Sequence, residues 1–500
     1  MPEMHPENTP EHRGVSRRLF LRGAVAAAAV VGFDVDRRSW ATEADVAAGH
    51  AAATALDFPD FDGELLTDDA FLDAAADDYG HTVSRRPVAV LVPGSVDDIV
   101  ALVRFARLHR IGVVARGQGH STFGQAQAEA GVVIEMSVFD TVHEVNAADA
   151  VVDAGVTWLE LLQQTIPAGL APPVLTDYIE LSIGGTLSAG GVGAQTFHSG
   201  AQIDSALELQ VVTGRGNLVT CSPHHRRRLF HAVLAGLGQF AIIVRARLRL
   251  VPAPPSARLY QATYDQLTAM TGDQRRLLAD RRFDTVQGSA VPDGAGGWLY
   301  VLEATKNFAP GDEPDDDALT GDLNFLPGQL VVQDLPYFDY LNRLAPIVEL
   351  LKQIGVWYFP HPWIDLFLPD DQAEGFIADT LAELTVDDVG QGPVLINPYH
   401  RDAFAPSFLR LPHGDVVFLF ALLRNAIPPT PERAAELVAA NRALFEAAVG
   451  AGGLSYPIDS VPKERIDWLR HYGPLWPAFA LAKLAYDPDQ ILAPGQGIFT

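Results

Sequence analysis

A glycine-rich stretch with one histidine at its centre is the feature that most limits the fold of this chain. Residues 114–125 read VARGQGHSTFGQ, in which three glycines surround His120 directly after an apolar run. Glycines let a backbone approach a ligand closely and turn its N–H groups inward, which suits a pyrophosphate. The pattern is not the Rossmann fingerprint, because it does not open a helix with an acidic residue about twenty positions on. It predicts a loop that holds a cofactor; a glycine turn with an incidental histidine is the alternative.

A second stretch rich in glycine and small residues suggests that the cofactor is large. Residues 176–193 read TDYIELSIGGTLSAGGVG and begin with the acid Asp177 beside Tyr178. The neighbourhood is mostly apolar, and burial there would suit Asp177 to act as a general base. An aspartate that caps its own loop backbone is the alternative. No second histidine, cysteine or carboxylate stands at ligand spacing near His120, so no metal site is predicted.

The elements around these stretches follow from hydrophobic periodicity and turn residues. Ser95 and Asp98 form the start of a capping box, and the sequence GRGN after residue 213 is typical of a hairpin turn. A β-α-β unit precedes the first glycine stretch, and the sequence PAPP at 252–255 marks a boundary. The predicted strands are 88–92, 111–115, 131–136, 151–156, 207–213, 218–221 and 240–251, and the clearest helices are 95–110, 158–166 and 431–449.

Length, charge and cysteine content limit the classes of protein. A chain of 500 residues is long enough for two domains. The net charge is −26, and the basic residues are scattered apart from the run HHRRR at 224–228, which is interpreted as a solvated turn. A nucleic-acid partner is therefore not expected. Cys221 is the single cysteine, so the chain forms no internal disulfide.

The N-terminal region, residues 1–42, has the pattern of a twin-arginine export signal. The sequence SRRLFLR at 16–22 precedes the apolar run GAVAAAAVVGF at 23–33, and small residues near 40–42 offer a cleavage site. The apolar run is too short for a stable membrane span. These features predict a folded protein exported to the periplasm or the extracellular space, with an amphipathic tail as the alternative.

Seven sequence blocks together resemble one family, the cytokinin dehydrogenases, which are flavoenzymes of the vanillyl-alcohol-oxidase type. They occur in the family's order and rough spacing, from about Phe71 to the C-terminus. The blocks are ARGQGHSTFGQ, LAPPVLTDYIELSIGGTLSAGGVGAQTF, ALELQVVTGRGNLVTCSP, GLGQFAIIVRARLRLVPAP, LEATKNF, HPWIDLFLP and ILAPGQGIF.

The resemblance implies an α+β, two-domain vanillyl-alcohol-oxidase/PCMH-type flavoprotein. The FAD domain would comprise residues 57–251 and 457–500, and a substrate domain with an antiparallel sheet and helices would span 252–456. His120 matches the family histidine that carries FAD covalently through its 8α-methyl carbon. Cys221 lies well past the second glycine stretch, so no second covalent link is expected. Further FAD contacts match Ala115, Gly117, Gln118, Gly119, Ser121, Gln125, Asp177, Ser182, Ser188, Val192, Ile243, Tyr456, Ala493 and Gln496.

The implied reaction removes the N6-isoprenoid side chain of a cytokinin, with adenine and an aldehyde as products. Asp177 matches the acid that takes the amine proton as hydride passes to flavin N5, and Glu303 matches the carboxylate that contacts the adenine ring. Oxygen or a quinone would reoxidise the flavin. His361 and Trp363 are either pocket wall or packing residues. An oxidoreductase of this fold acting on another amine, an alcohol or a sugar, and a flavin carrier without turnover, remain as alternatives.

Overall fold

The computed structural model describes residues 30–34, 39–42 and 59–499. Its first two strands, β1 (Val30–Asp34) and β2 (Ser39–Thr42), form an antiparallel hairpin. Phe33 packs edge-on against Phe105 with ring centroids 6.0 Å apart, so the end of the apolar run joins the main core. The predicted twin-arginine motif at 16–22 lies outside the described residues.

A four-stranded sheet carries the first glycine-rich stretch. The two strands predicted to flank the helix of a β-α-β unit, Ala89–Val92 and Val113–Arg116, are both parallel to the strand Val132–Glu135, which lies between them. The helix of that unit begins after Ser95, whose side chain accepts a hydrogen bond from the backbone N–H of Asp98, so the predicted capping box is confirmed. The strands are β3 (Glu64–Leu66), β4 (Ala89–Val92), β5 (Val113–Arg116) and β6 (Val132–Glu135), in the order β3-β4-β6-β5, with helices α1 (Asp69–Ala75) and α2 (Val96–His109).

A five-stranded antiparallel sheet follows and supports the second glycine-rich stretch. It contains the hairpin predicted at the sequence GRGN, which is confirmed. Its strands are β7 (Val142–Val145), β8 (Asp149–Asp153), β10 (Ala206–Thr213), β11 (Leu218–Cys221) and β12 (Ala241–Arg249), in the order β11-β10-β12-β8-β7. The short strands β9 (Leu170–Ala171) and β13 (Val251–Pro252) pair beside it, and the helices are α3 (Trp158–Thr165), α4 (Ile183–Ala189), α5 (Thr196–Ser199) and α6 (Arg227–Val233).

An eight-stranded antiparallel sheet dominates the second half of the chain. The strands are β14 (Ser256–Tyr264), β15 (Thr285–Pro292), β16 (Trp298–Phe308), β17 (Leu330–Pro336), β18 (Ile364–Pro369), β19 (Val394–His400), β20 (Val416–Leu422) and β21 (Leu454–Ser455), in the order β17-β14-β16-β15-β19-β20-β18-β21. The helices are α7 (Leu267–Asp280), α8 (Asp316–Thr320), α9 (Tyr337–Leu341), α10 (Ala345–Gln353), α11 (Asp370–Glu383), α12 (Val386–Val389) and α13 (Pro431–Gly450).

The C-terminal segment returns to the first sheet. Helices α14 (Arg465–Tyr472) and α15 (Trp476–Tyr486) precede it, and the backbone N–H of Ala493 then donates to the carbonyl of Val113 in β5 at 2.8 Å. Short 3-10 turns lie at Met136–Val138, Ile166–Ala168, Gln202–Ser205, Val356–Tyr358, Arg401–Ala403, Gly473–Leu475 and Pro494–Gln496. Among the described residues, no helix combines the length and apolarity needed to cross a membrane.

The hydrophobic residues form two large cores. One draws on the four-stranded and five-stranded sheets together with C-terminal residues such as Leu492 and Ile498. The other lies on the eight-stranded sheet, between its apolar side chains and helices such as α7 and α11. The boundaries at residues 57, 252 and 457 stay predictions, and the site described next draws residues from both sides of residue 252.

Candidate active site

The backbone of the first glycine stretch is held against residues 78–80. The carbonyl of Gly119 accepts a hydrogen bond from the N–H of Tyr79 at 2.9 Å, and the carbonyl of Ser121 accepts one from the N–H of Gly80 at 3.1 Å. Gly119 has a φ of +66°, a left-handed conformation in which glycine is least strained. The loop therefore has a defined shape that depends on a segment about forty residues earlier.

Asp78 is the side chain that organises this loop. Its Oδ2 accepts hydrogen bonds from Ser121 Oγ at 3.0 Å and from the N–H of Gly124 at 2.7 Å, while Oδ1 accepts one from the N–H of Gly80 at 3.1 Å. Burial raises the pKa of Asp78 from 3.8 to about 6, although these hydrogen bonds act in the opposite direction. Sequence analysis missed Asp78, because nothing in its local pattern separates it from the adjacent Asp77.

The two glycine stretches adjoin at Gly117 and Ser182. A Cβ atom built on Gly117 would lie 2.0 Å from Ser182 Oγ, which leaves space for glycine alone. Ser182 stands immediately before α4, within the second stretch. The structure thus brings together two predicted FAD contacts that are 65 positions apart in the chain.

His120 lies in a cluster of aromatic rings. Its imidazole stacks on Tyr79 with centroids 3.9 Å apart and planes 16° from parallel. Tyr178, beside Asp177, lies 5.1 Å from the same imidazole, and Trp363 lies 5.6 Å away. The structure therefore places the histidine predicted to carry the flavin next to the stretch that contains the predicted base.

The environment of His120 keeps its imidazole neutral. Burial lowers its pKa to about 4, and Nε2 is buried with no hydrogen-bond partner among the described residues. His361 stacks on Tyr79 at 4.2 Å, and Trp357 lies 4.8 Å from Tyr79. His361 and Trp363, for which sequence analysis left two roles open, both pack around the ring that supports His120.

Asp177 and Glu303 are joined by a residue that sequence analysis missed, Arg343. Nη2 of Arg343 donates to Asp177 Oδ1 at 2.8 Å, and Nε lies 3.3 Å from Glu303 Oε1. The Arg343 side chain is 17% exposed, against 27% for Asp177 and 23% for Glu303. The two predicted catalytic carboxylates thus form one ion-paired cluster, although they come from a loop and from β16.

The surroundings of Asp177 are more polar than the apolar stretch around it predicts. Gln287 Nε2 donates to Asp177 Oδ2 at 2.9 Å, so each carboxylate oxygen already accepts one hydrogen bond. Gln261 Nε2 donates to Glu303 Oε2 at 3.3 Å. Burial opposes the charge of Arg343, but Tyr340 and the two carboxylates outweigh it and raise the pKa of the guanidinium. The expectation of apolar surroundings for Asp177 was wrong, because its partners come from distant strands.

Three predicted FAD contacts near the C-terminus reach the glycine stretches. The hydroxyl of Tyr456 accepts a hydrogen bond from the N–H of Gly191 at 2.8 Å. Gln125 and Gln496 line one cavity of about 550 Å³, and Gln125 Nε2 donates to the carbonyl of Asp459 at 2.9 Å. The N–H of Ala493 makes the hydrogen bond to Val113 in β5 described above.

The remaining predicted contacts lie in the elements that carry the two stretches. Ala115 is in β5, and Gln118 is exposed on the first stretch. Ser188 is in α4, where its hydroxyl donates to the carbonyl of Gly184 at 2.8 Å, and α4 packs against β12. Ile243 is buried in β12, whereas Val192 is partly buried just after α4.

Family models and known proteins match this chain over most of its length. The model "Cytokinin dehydrogenase 1, FAD and cytokinin binding" matches residues 285–499, and a model for an FAD binding domain matches residues 87–222. An uncharacterized oxidoreductase, ORF5 in the fasciation locus of Rhodococcoides fascians, is 40% identical over 86% of this chain and 97% of its own. Cytokinin dehydrogenase 5 of Oryza sativa subsp. japonica is 37% identical over 87% of this chain and 91% of its own. The chain belongs to the cytokinin dehydrogenase family.

Membership of the cytokinin dehydrogenase family identifies the protein as an FAD-dependent oxidoreductase. A solved structure, 6-hydroxy-D-nicotine oxidase of Arthrobacter nicotinovorans, matches with a TM-score of 0.67 and 21% identity over 87% of this chain and 98% of its own. This likeness confirms the predicted α+β, two-domain vanillyl-alcohol-oxidase/PCMH-type fold.

The residues around His120 fit FAD. Glycines occupy positions where a Cβ would collide, the buried Nε2 of His120 has no partner among the described residues, and its pKa leaves the imidazole unprotonated at neutral pH. Within the described residues, no group of three or more histidine, cysteine or acidic side chains is placed to bind a metal. Cys221 is fully buried, as expected of a small apolar residue, and Arg226, Arg227 and Arg228 are exposed, as predicted.

Proposed function

We propose that this enzyme oxidatively cleaves the N6-isoprenoid side chain of cytokinins. The observation that carries the proposal is the cluster of Asp177, Arg343 and Glu303, together with Tyr178, the residue after Asp177, whose ring lies 5.1 Å from His120. An amine that donates its N–H to Asp177 would lie near the flavin, with its purine directed to Glu303. The family's name agrees with a substrate of this kind.

In the proposed reaction, the protein residues orient the amine and receive its proton. FAD, when bound, supplies the two-electron oxidant, whose N5 accepts hydride from the carbon next to the substrate nitrogen. Asp177 accepts the N–H proton, and a carbon–nitrogen double bond forms. Water adds to this imine, and cleavage of the carbon–nitrogen bond gives adenine and an aldehyde.

The neighbours of Asp177 orient its carboxylate to accept the substrate proton. Arg343 and Gln287 each hold one carboxylate oxygen, which fixes the orientation of the remaining lone pairs. The rings of Tyr79, Tyr178 and Trp363 pack around His120, so they would limit the access of water to a flavin attached there. Glu303 would then accept a hydrogen bond from the purine.

We propose a covalent bond from His120 to the 8α carbon of FAD; an 8α C–H bond would be lost, its two electrons would reduce the flavin ring, and the electron acceptor would reoxidise that ring. The unprotonated imidazole and its unpartnered Nε2 support this proposal, because a nitrogen lone pair has to be free for the bond to form. Acid precipitation tests it: yellow colour should stay with the wild-type protein and be released from His120→Ala. Release of the colour from the wild-type protein would contradict the covalent link.

Anaerobic mixing with N6-isopentenyladenine tests the substrate. We expect the flavin absorbance near its visible maximum to bleach, and adenine and an aldehyde to form in equal amounts. Asp177→Asn should slow bleaching by about a hundredfold or more, because a base is lost while the fold is kept. A yellow enzyme that does not bleach would overturn the proposed substrate.

A second candidate substrate is a different amine. The fold neighbour is by its name an oxidase of 6-hydroxy-D-nicotine, which shows that the same architecture is used with another nitrogen compound. Bleaching by 6-hydroxy-D-nicotine but not by N6-isopentenyladenine would favour this candidate. Oxygen or a quinone is the proposed electron acceptor, and reoxidation rates of the bleached enzyme with each would identify it.

We also propose export by the twin-arginine route to the periplasm or the extracellular space. The motif SRRLFLR and the apolar run after it support this proposal. Replacing Arg17 and Arg18 by lysine should retain the protein in the cytoplasm, as measured by cell fractionation. The same replacement at Arg37 and Arg38, a second arginine pair, is the matched control and should not affect export.

A further inference from the structure

Arg343 carries the only positive charge that faces the two carboxylates in the described part of the site. Its guanidinium contacts Asp177 and Glu303, and it lies 4.8 Å from the ring of Tyr340. The other hydrogen-bond donors to the carboxylates are the neutral amides of Gln287 and Gln261. The cluster therefore has a net charge of −1 with Arg343 and would have −2 without it.

This charge balance affects which amines can bind. Two uncompensated carboxylates at low exposure would attract a protonated amine strongly, since charge interactions strengthen where water is excluded. A guanidinium between them repels such a cation while both carboxylates can still accept hydrogen bonds from a neutral N–H. An amine conjugated to a heteroaromatic ring is neutral at neutral pH, whereas a simple alkyl amine is protonated.

We propose that Arg343 is a specificity-determining residue that lowers the affinity of the site for protonated alkyl amines relative to neutral N–H donors. The inference rests on the proposed function, because it takes Asp177 and Glu303 as the groups that meet the substrate. Arg343 acts through these two carboxylates. Discrimination arises because the wrong ligand meets a like charge, in addition to any attraction for the right one.

The chain offers a matched control in Arg258. This arginine also bridges two carboxylates, Asp334 at 2.6 Å and Asp316 at 3.0 Å, and it lies 5.5 Å from the ring of Phe308. Its side chain is 15% exposed, close to the 17% of Arg343. Arg258→Met thus removes an arginine of similar exposure that bridges two other carboxylates and contacts neither Asp177 nor Glu303.

The experiment compares two ligands with the same carbon skeleton on the flavin-loaded enzyme. The probes are 3-methylbut-2-enylamine, which is protonated at neutral pH, and 3-methylbut-2-en-1-ol, which is neutral. Dissociation constants are read from the change in flavin absorbance under anaerobic conditions, and the ratio of the two constants measures charge selectivity. Thermal melting of each variant checks that it is folded.

We expect Arg343→Met to strengthen binding of the amine relative to the alcohol by about tenfold or more. Arg343→Lys, which keeps the charge, and Arg258→Met should leave the ratio within about threefold of the wild type. Equal ratios in Arg343→Met and Arg258→Met would overturn the proposal, as would an equal shift in Arg343→Lys and Arg343→Met.

Glu303→Gln gives a second test that does not depend on the folding of the arginine variants. Loss of one carboxylate leaves the cluster neutral, so the amine should bind about tenfold more weakly relative to the alcohol. An unchanged or opposite shift would overturn the proposal. Failure of the wild-type enzyme to oxidise N6-isopentenyladenine would reject the proposed function alone, because the ratio is measured without turnover.

Discussion

Tyr79 stacks on His120 with ring centroids 3.9 Å apart, and its backbone N–H also donates to the carbonyl of the residue before that histidine, Gly119. One residue therefore sets both the plane of the imidazole and the position of the loop that carries it. His361 stacks on the same tyrosine at 4.2 Å. The orientation of His120 thus depends on a contact between the N-terminal part of the chain and the segment after α10.

The first prediction concerns this stack. Given the proposed bond from His120 to FAD, Tyr79→Leu should reduce the fraction of flavin that stays with acid-precipitated protein, because an aromatic pair contributes about 1 kcal/mol to holding the imidazole in place. Tyr79→Phe keeps the ring and should retain that fraction. The measurement is flavin colour that remains with acid-precipitated protein, and equal fractions in both variants would show that stacking does not orient His120.

The close approach of Gly117 and Ser182 gives a second prediction. Gly117→Ala would place a methyl group 2.0 Å from Ser182 Oγ, so the two glycine stretches would have to separate and flavin content should fall severalfold. Gly272→Ala is the control, since nothing lies within 4 Å of that position in α7 and alanine should stabilise an exposed helix there by about 0.5–1 kcal/mol. Flavin content and melting temperature report the two effects, and a Gly117→Ala protein with full flavin would refute the steric argument.

Asp78 gives a prediction for pH dependence. Its pKa is raised from 3.8 to about 6 by burial, so the folded protein holds this proton more tightly than the unfolded chain does. Stability therefore falls as the pH rises from about 4 to about 6, by on the order of 3 kcal/mol from this group. Asp78→Asn should remove that slope when unfolding free energy is measured across the same interval.

Asp204 supplies the control for Asp78. Burial also raises its pKa to about 6, but its hydrogen bonds are from the N–H groups of Ala201 and Ala405, away from the first glycine stretch. Asp204→Asn should remove a similar slope and leave flavin content unchanged, whereas Asp78→Asn should also lower flavin content. Full flavin content in Asp78→Asn would show that the loop keeps its shape without the carboxylate.

A fourth prediction concerns Cys221. The thiol is fully buried, and burial raises its pKa to about 12, so iodoacetamide should not modify the native protein. After acid denaturation of the flavin-loaded enzyme, one free thiol per chain should titrate. A missing thiol would mean that a second bond to the flavin forms through Cys221, against the expectation of a single link.

The amino-acid sequence by itself determined the local secondary-structure elements and the family. The capping box at Ser95, the hairpin at the sequence GRGN and both glycine stretches were predictable, because each depends on residues within a few positions of one another. Family blocks also identified His120, Asp177 and Glu303 as candidates, and their roles stay proposals for experiment.

Only the tertiary structure decided how those candidates are partnered. Arg343 contacts Asp177, which lies 166 positions earlier in the chain, and Glu303 in the eight-stranded sheet. Asp78 accepts a hydrogen bond from the N–H of Gly124, 46 positions later. Local periodicity carries no information on such pairs, since they form when separate sheets and loops pack together. The surroundings of the predicted base Asp177 are polar and charged although the sequence around it is apolar, and this difference follows from that packing.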